Sequence, residues 1–501
     1  MRSCPCVDYE AVIRLIEENK YLKQENCELK LALEAAQNTA MRLEEKIKNL
    51  LVENEKLKET LLYTCQYGVK KRTKRDVEST ETTISKKRGA PTGHKGTSRK
   101  KPQQIDETVE YILDKCIKCG SNSIKICNRI DTHFVEDIII KKVVRKILHH
   151  YYYCQNCKQV MSTHDKDEIP YRRIGPVAEA VGSYLHNYRK ISYGDVKGIF
   201  NDLFELELSK SIFSGFDNKI CEKGKTFYEM LQQLVKLSSV TYTDETGWQI
   251  GCEDAWLWAC VSKISDDKWV VVYKIDESRS GNVAENILGE NYDGILNSDR
   301  YAGYNRIKAK AKQKSLAHIL REIKDVERLW EPDEKAKIFL SSIKELLKTA
   351  IEIKKSWKKK EIADEELPKK HQQLQQELEM LIQESLSHKR AEKIRKSLLK
   401  YKDEIFTFLR YKEVESDTNI VERAIRPNVI MRKITYGNNS PKGATNHEVI
   451  MSLLQTAKAN GQQPFQLLKL LLQRHIDEDK IRTLLYGTTQ DTNQIINPEF
   501  R

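Results

Sequence analysis

From residue 8 to residue 62 the chain repeats every seven residues, with no glycine or proline to interrupt it. Leu15, Leu22, Leu29, Ala36, Leu43, Leu50 and Leu57 share one heptad position. Val12, Asn19, Asn26, Leu33, Ala40, Ile47, Asn54 and Leu61 share the position three residues ahead. These are the d and a seams of a coiled coil, an apolar stripe too narrow for a globular core and shaped for a second helix. The asparagines at a positions disfavour higher oligomers and slipped registers, so the segment is read as a parallel homodimer. A long helix packed on its own chain is the alternative.

Residues 70–105 form a basic flexible linker. Between residues 70 and 101 twelve Lys and Arg stand against three acids, with frequent Gly, Pro, Ser and Thr and no apolar period. Lys95 in its GHKG phrase is a candidate DNA contact; a solvated tether is the other reading. The basic run follows the zipper, the reverse of a bZIP protein. The whole chain of 501 residues carries 86 Lys and Arg against 73 Asp and Glu, a net +13, which argues for a polyanionic partner.

No apolar run approaches the roughly 18 residues of a membrane span, and the N-terminus has no apolar signal region. We therefore expect no membrane partner and a cytoplasmic protein, in which the 12 cysteines are thiols or metal ligands rather than a disulfide framework. Cys116 and Cys119 form one CxxC knuckle, and Cys154 and Cys157 a second. Two knuckles complete the tetrahedron that zinc prefers and leave no open position, so residues 108–165 read as a zinc-ribbon-like module holding structural zinc. The β-rich stretch 132–153 would supply the ribbon. Cys127, His133, His149 and His150 are treated as core or surface residues.

Residues 170–235 read as helices. Ser192 and Ser209 are placed to cap two of them, joined by a turn near 205–208. The pair resembles a helix-turn-helix, with a plain helical hairpin as the alternative.

From residue 240 the period becomes two. Val240, Tyr242, Asp244, Thr246, Trp248 and Ile250 share a strand face, and two more strands follow as a meander. A helix-like stretch at 281–289 leads to a short strand ending on Asp299. The stretch 417–426 fits a short helix capped by Asp417 and broken by Pro427, with Asn419, Glu422 and Arg426 on one side. If the strands of Asp244 and Asp299 pair, Glu422 can face both. Three carboxylates around one point repel unless divalent cations lie between them. Two Mg²⁺ (or Mn²⁺) ions would then activate a hydroxyl and stabilise the leaving oxygen of a phosphodiester. Arg423, Arg426, Arg432 and Lys433 crowd the third acid as candidate phosphate contacts.

The phrases TDETGW, NSDRYAGY and NIVERAIRPN, with GHKG, the paired CxxC, LAHILREIK and LLQTAKANGQQPFQLL, occur in this order over roughly residues 86–475. Together they resemble the DDE transposases of the insertion-sequence sixty-six family. The resemblance implies a ribonuclease-H-like α/β catalytic domain preceded by a zinc-binding domain. It also implies action on the ends of a mobile DNA element in a bacterial nucleoid, with helper proteins of the same element. Asp244, Asp299 and Glu422 match the family's catalytic acids. Ser315 and Leu316 stand where the family commonly has Cys and an aromatic, Ile434-Thr435-Tyr436 replaces an Asn-led phrase, and the tail beyond 475 matches poorly. His318 is read as a satisfied core histidine.

Residues 331–410 are charged in 34 of 80 positions, 19 basic and 15 acidic, with apolar residues at helical spacing. They read as an inserted helical subdomain between catalytic-core parts at 236–330 and 411–435, with C-terminal helices over 436–480. The expected whole is multidomain α+β: coiled coil, zinc module, helical DNA-binding region and catalytic domain. The expected function is a Mg²⁺-dependent transposase acting on double-stranded DNA. A DNA-binding regulator derived from one, or a related metal nuclease, are the alternatives.

Overall fold

The computed structural model describes residues 9–67, 102–125, 132–162, 168–169, 172–265 and 267–487. Most of the basic linker, Lys95 and Cys127 lie outside them. The chain divides into two compact units between Phe134 and Val135.

In the first unit, α1 (Tyr9–Tyr67) is one unbroken helix of 59 residues, about 90 Å at the usual rise. Leu15, Leu22, Leu29, Leu43 and Leu50 are each half-exposed or more, so the described residues leave this seam uncovered. Cys116 begins a tight turn. Its N–H donates to the Ser121 carbonyl at 2.9 Å, and the Gly120 N–H donates back to the Cys116 carbonyl at 2.8 Å.

The second unit opens on a small hairpin, β1 (Tyr151–Tyr153) and β2 (Val160–Ser162), paired Tyr152 to Met161. The expected ribbon over 132–153 is met only here. Residues 132–150 form no strand, and their Ile138, Ile139 and Val144 are exposed, so among the described residues nothing buries the apolar face that a strand would need.

Helices α2 (Pro176–Ser183), α3 (Tyr193–Phe204) and α4 (Lys210–Leu237) follow. Ser192 accepts the Asp195 N–H and caps α3 as its spacing predicts, whereas Ser209 precedes α4 without a side-chain cap bond. Glu205 ends α3 in the left-handed region. Helix α4 runs 28 residues and buries Ile220, Phe227, Leu231 and Leu234.

The central sheet is β3 (Val240–Ile250), β4 (Glu253–Lys263), β5 (Trp269–Asp276), β6 (Asn291–Ser298) and β7 (Lys308–Lys314). Helix α5 (Gly281–Leu288) connects β5 to β6. The strand order is β5-β4-β3-β6-β7. β3, β4 and β5 form an antiparallel meander, while β6 runs parallel to β3 and β7 parallel to β6. This is a mixed sheet in an α+β unit.

Period-two alternation sends Leu257, Ala259, Val271 and Tyr273 to one face and Trp258, Cys260, Val270 and Val272 to the other. The first face is covered by α6 (Leu316–Leu329), α7 (Glu334–Lys358), α8 (Leu367–Leu381), α9 (Lys389–Lys400) and α10 (Asn419–Thr435). Leu340, Ile343, Leu378 and Leu398 of the insertion share one apolar cluster with Tyr242 and Leu257. The insertion therefore extends the sheet's own core rather than enclosing a separate one.

The second face is covered by α4, α5, α11 (Pro441–Ala459), α12 (Pro464–Leu471) and α13 (Glu478–Tyr486). Helix α11 also closes the edge of β5. Glu448, Ser452, Thr456 and Asn460, spaced by four, accept the N–H groups of Ile275, Tyr273, Val271 and Trp269, spaced by two. Four helical residues rise about 6.0 Å and two strand residues about 6.8 Å, so the two ladders stay nearly in step. An open strand edge is thereby satisfied without another strand. Thr456→Val keeps the shape but leaves the buried Val271 N–H unpaired. It should lower unfolding free energy by about 1–3 kcal/mol in urea denaturation, with Thr456→Ser near wild type; equal stability of all three would contradict this role.

Candidate active site

β3 carries Asp244 at its centre, opposite Ala259 of β4. On its other side Tyr242 pairs with Asn297 of parallel β6. Continued for two residues, that register brings Asp244 abreast of Asp299, the first residue past β6. The strand pairing needed for the two acids to converge is thus present. Asp299 accepts the Tyr301 N–H at 2.8 Å through Oδ1, which turns the chain away from the sheet.

Glu422 sits in the first turn of α10. Asp417 accepts the Asn419 N–H at 2.9 Å, but the N-cap is Thr418, without a side-chain cap bond, rather than the expected Asp417, and the expected break at Pro427 is absent. The helix runs through Pro427 to Thr435. Tertiary bonds hold its second half. Arg432 Nη1 donates to the Gly247 carbonyl and to Thr246 Oγ1, Asn428 Oδ1 meets His447 Nε2 at 2.8 Å, and Met431 is buried. Anchoring of this kind outweighs the roughly 3 kcal/mol that a mid-helix proline costs.

Glu422 Oε1 lies 3.4 Å from Arg321 and 3.5 Å from His318 Nε2. His318 is therefore not the core residue its surroundings in sequence predict; it faces the third acid. Its Nδ1 is 3.0 Å from Ser315 Oγ, which also accepts the Thr418 N–H at 3.3 Å. The Ser315 N–H donates to the Ser298 carbonyl. One serine thus joins the end of β6, the start of α6 and the start of α10, the three elements that border the acids.

Burial first, then the charges of Glu245 and Asp299 and, more weakly, Glu422, push the Asp244 carboxyl up to about 7. Neighbouring Glu245 is nearly inaccessible and pairs with Arg279 at 2.8 Å, while the Tyr304 hydroxyl donates to it at 2.5 Å. Arg279 is held between the rings of Trp256 and Tyr301, at 4.4 and 4.5 Å. Burial also pushes the fully enclosed Lys314 amine down to about 8; it lies 3.2 Å from Ser298 Oγ and 3.6 Å from Glu404. Nothing in the spacing of the sequence marks Glu245, Arg279 or Lys314 as neighbours of Asp244 and Asp299. His318 alone carried a signal, its place in the LAHILREIK phrase.

A raised carboxyl has a definite consequence for stability. The unfolded chain loses the Asp244 proton near pH 3.8, the folded chain near 7, so between these values folding takes up a proton and stability falls as pH rises. Asp244→Asn carries no such penalty. In chelator, the variant should match wild type near pH 4 and exceed it by about 2–4 kcal/mol above pH 7. A pH-independent difference in urea denaturation would contradict the assignment.

Of the candidate phosphate contacts, Arg423, Arg426 and Lys433 are exposed on α10. Arg432 is instead tied to β3 by the bonds above. The second cysteine knuckle repeats the first: the Lys158 N–H donates to the Cys154 carbonyl at 2.9 Å and the Cys154 N–H to the Gln159 carbonyl. Gly120 and Lys158, four residues after the leading cysteines, are both left-handed at φ +72° and +56°. Backbone N–H groups of Cys119 and Lys118 lower the Cys116 thiol; those of Cys157 and Asn156 lower Cys154. Among the described residues no three His, Cys, Asp or Glu side chains are gathered closely enough to hold an ion.

A mixed-sheet α+β unit with one acid on a strand, one just past the end of its parallel neighbour and one on a covering helix is the class these observations define. Residues 176–446, more than half of the chain, match the Transposase IS66 family, and the chain belongs to that family. It is also 27% identical over 307 residues to the uncharacterized protein y4qI of Sinorhizobium fredii (strain NBRC 101917 / NGR234). The match covers 54% of each chain, so the chain spans about half the length of this relative. Among the described residues no helix is long and apolar enough to cross a membrane.

Proposed function

We propose that the chain is a transposase that cuts and joins DNA strands at the ends of an insertion sequence, with Asp244, Asp299 and Glu422 as its catalytic acids. The parallel pairing of β3 with β6 supports this reading, because it ends at Tyr242 and Asn297, two residues before Asp244 and Asp299 respectively. The strand order, three antiparallel strands followed by two parallel ones, supports a ribonuclease-H-like catalytic domain.

The three acids are hard oxygen donors suited to Mg²⁺ or Mn²⁺, and Asp244 is raised first by burial and then by the neighbouring carboxylates of Glu245 and Asp299. Such ions, when bound, supply an activated hydroxyl and charge stabilisation at the leaving oxygen. The chain's own residues do the rest. Glu245 and Arg279 stiffen β3 beside Asp244. Ser315 fixes the start of α10, and Arg432 clamps its far end. Glu422 leaves Arg321 and His318 to join the aspartates. Arg423, Arg426 and Lys433, with Lys95 of the linker, hold phosphates.

Cys116, Cys119, Cys154 and Cys157 serve as ligands of one structural zinc; their matching turns and lowered leading thiols favour thiolate ligation. The uncovered seam of α1 pairs with a second copy as a parallel homodimer, and a single-chain mass in light scattering would contradict that. The helices of 170–235 contribute to DNA binding, helper proteins of the same element assist, and the setting is the bacterial cytoplasm and nucleoid.

The test incubates the purified chain with Mg²⁺, duplex DNA from the ends of its element and a target plasmid. Nicked ends bearing a 3′-hydroxyl, joined to the plasmid, are expected. Binding without cutting would favour a DNA-binding regulator, and cutting without joining a nuclease.

A further inference from the structure

A cavity of about 460 Å³ lies at the far end of α10 from Glu422, between that end, α3, α4 and the start of α11. Its size falls in the range of about 300–1,000 Å³ that takes a small molecule or a single nucleotide. His186 and His447 line it, 6% and 4% exposed. His186 Nδ1 bonds the Ile191 carbonyl at 2.8 Å and His447 Nε2 bonds Asn428. Among the described residues the second nitrogen of neither ring has a hydrogen-bond partner. Burial holds both imidazoles neutral, with His447 pushed down to about 3. One ring nitrogen on each therefore faces the cavity wall without a hydrogen-bond partner among the described residues, with the Asp217 carboxylate of the same wall close enough to His186 to act against that lowering.

Tyr193 adds a flat surface, stacked on His186 with ring centres 3.6 Å apart, and its hydroxyl is fixed by Asp217 at 2.5 Å. Lys210 at the rim makes no ion pair among the described residues. Exposed Ile434 lines the cavity, and Tyr436, two residues along the chain, is 77% exposed. Tyr436 is held rather than loose. Its φ is +60°, its N–H donates to the Arg432 carbonyl at 2.8 Å, and Asn438 two residues on exchanges backbone bonds with Gln249 and Gly251 of the β3–β4 turn. Gly437 is required between them, since a Cβ there would run into the Gln249 carbonyl.

We propose that this cavity receives one nucleotide of the bound DNA, extruded from the stack, with Ile434 and Tyr436 occupying the gap it leaves. The inference rests on the DNA-cutting reading and deepens it. Buried lone pairs meet the amino groups of a base edge, the Tyr193–His186 stack offers a π-face, and Lys210 meets a phosphate. Arg423, Arg426 and Lys433 share one side of α10 between Glu422 and the cavity. From Glu422 to Thr435 is 13 residues, about 20 Å of helix. At about 3.4 Å per step along a strand, the extruded nucleotide lies roughly six positions from the scissile phosphate.

The test places 2-aminopurine, whose fluorescence rises when unstacked, at successive single positions of the element-end duplex, with a gel shift on the same DNA. Wild type should brighten one position severalfold, about six from the cut. The exposed-residue variant Ile434→Ala/Tyr436→Ala should lose most of that signal while still shifting the DNA. An abasic site at the bright position should restore cleavage by this variant, since nothing then remains to be unstacked. Binding with no bright position, or brightness unchanged in the variant, would overturn the inference and leave the DNA reading intact. Failure of wild type to bind the DNA would overturn both.

Discussion

Asp244→Asn, Asp299→Asn and Glu422→Gln should each lower strand cleavage by roughly three orders of magnitude or more, because each removes, at little change in shape, a charge proposed to hold a catalytic ion. DNA binding should persist, since Arg423, Arg426 and Lys433 are untouched and exposed. Asp244 lies on β3 and Asp299 just past the end of its parallel neighbour β6, so if the two act as a unit their losses should be strongly non-additive: the double variant should be little worse than either single one. Glu422→Gln differs in one respect. Its partners Arg321 and His318 can still hydrogen-bond the amide, so the fold at the start of α10 should be kept. A single-turnover cleavage assay beside a gel shift reads all of this; wild-type rates in any one variant would remove that residue from the site.

The second large effect is expected at the cysteines. Purified protein should contain about one equivalent of zinc, and Cys116→Ser/Cys154→Ser should contain almost none. Each substitution removes the leading thiol of a knuckle, the one whose ionised form the backbone N–H groups favour. Structural zinc sites contribute apparent binding free energies of about 10–16 kcal/mol, so the region around the knuckles should become protease-sensitive in the variant and in chelator-treated wild type. Full zinc content in the double variant would refute the ligand assignment.

The parts of the fold legible in the sequence are those where one local pattern decides. The heptads of α1, the alternation of β3 to β5 and the Ser192 cap are each set by residues within a few positions of one another. β7 escaped because its sequence, KAKAKQK, has almost no apolar signal; it is an edge strand, where lysines are expected, and the two positions it buries are the polar Gln313 and Lys314. Pro427 misleads for the opposite reason. Local chemistry ends a helix there, and bonds to β3 and α11 carry it through. The stretch 132–150 has strand-like composition, but among the described residues its Ile138, Ile139 and Val144 find no surface to pack on. Asp244, Asp299 and Glu422 could be named from their phrases, yet the buttress of Glu245, Arg279 and Tyr304 joins residues up to 59 apart and follows only from topology. The same holds for His318, whose contact with Glu422 spans two helices.

The most direct test of the central claim follows one end-labelled strand of element-end DNA through incubation with target DNA and Mg²⁺, in wild type and in Asp244→Asn. The account predicts a free 3′-hydroxyl end that then appears covalently joined to target in wild type, and neither product in the variant despite equal DNA binding. Joined product at equal rates from both proteins would contradict it.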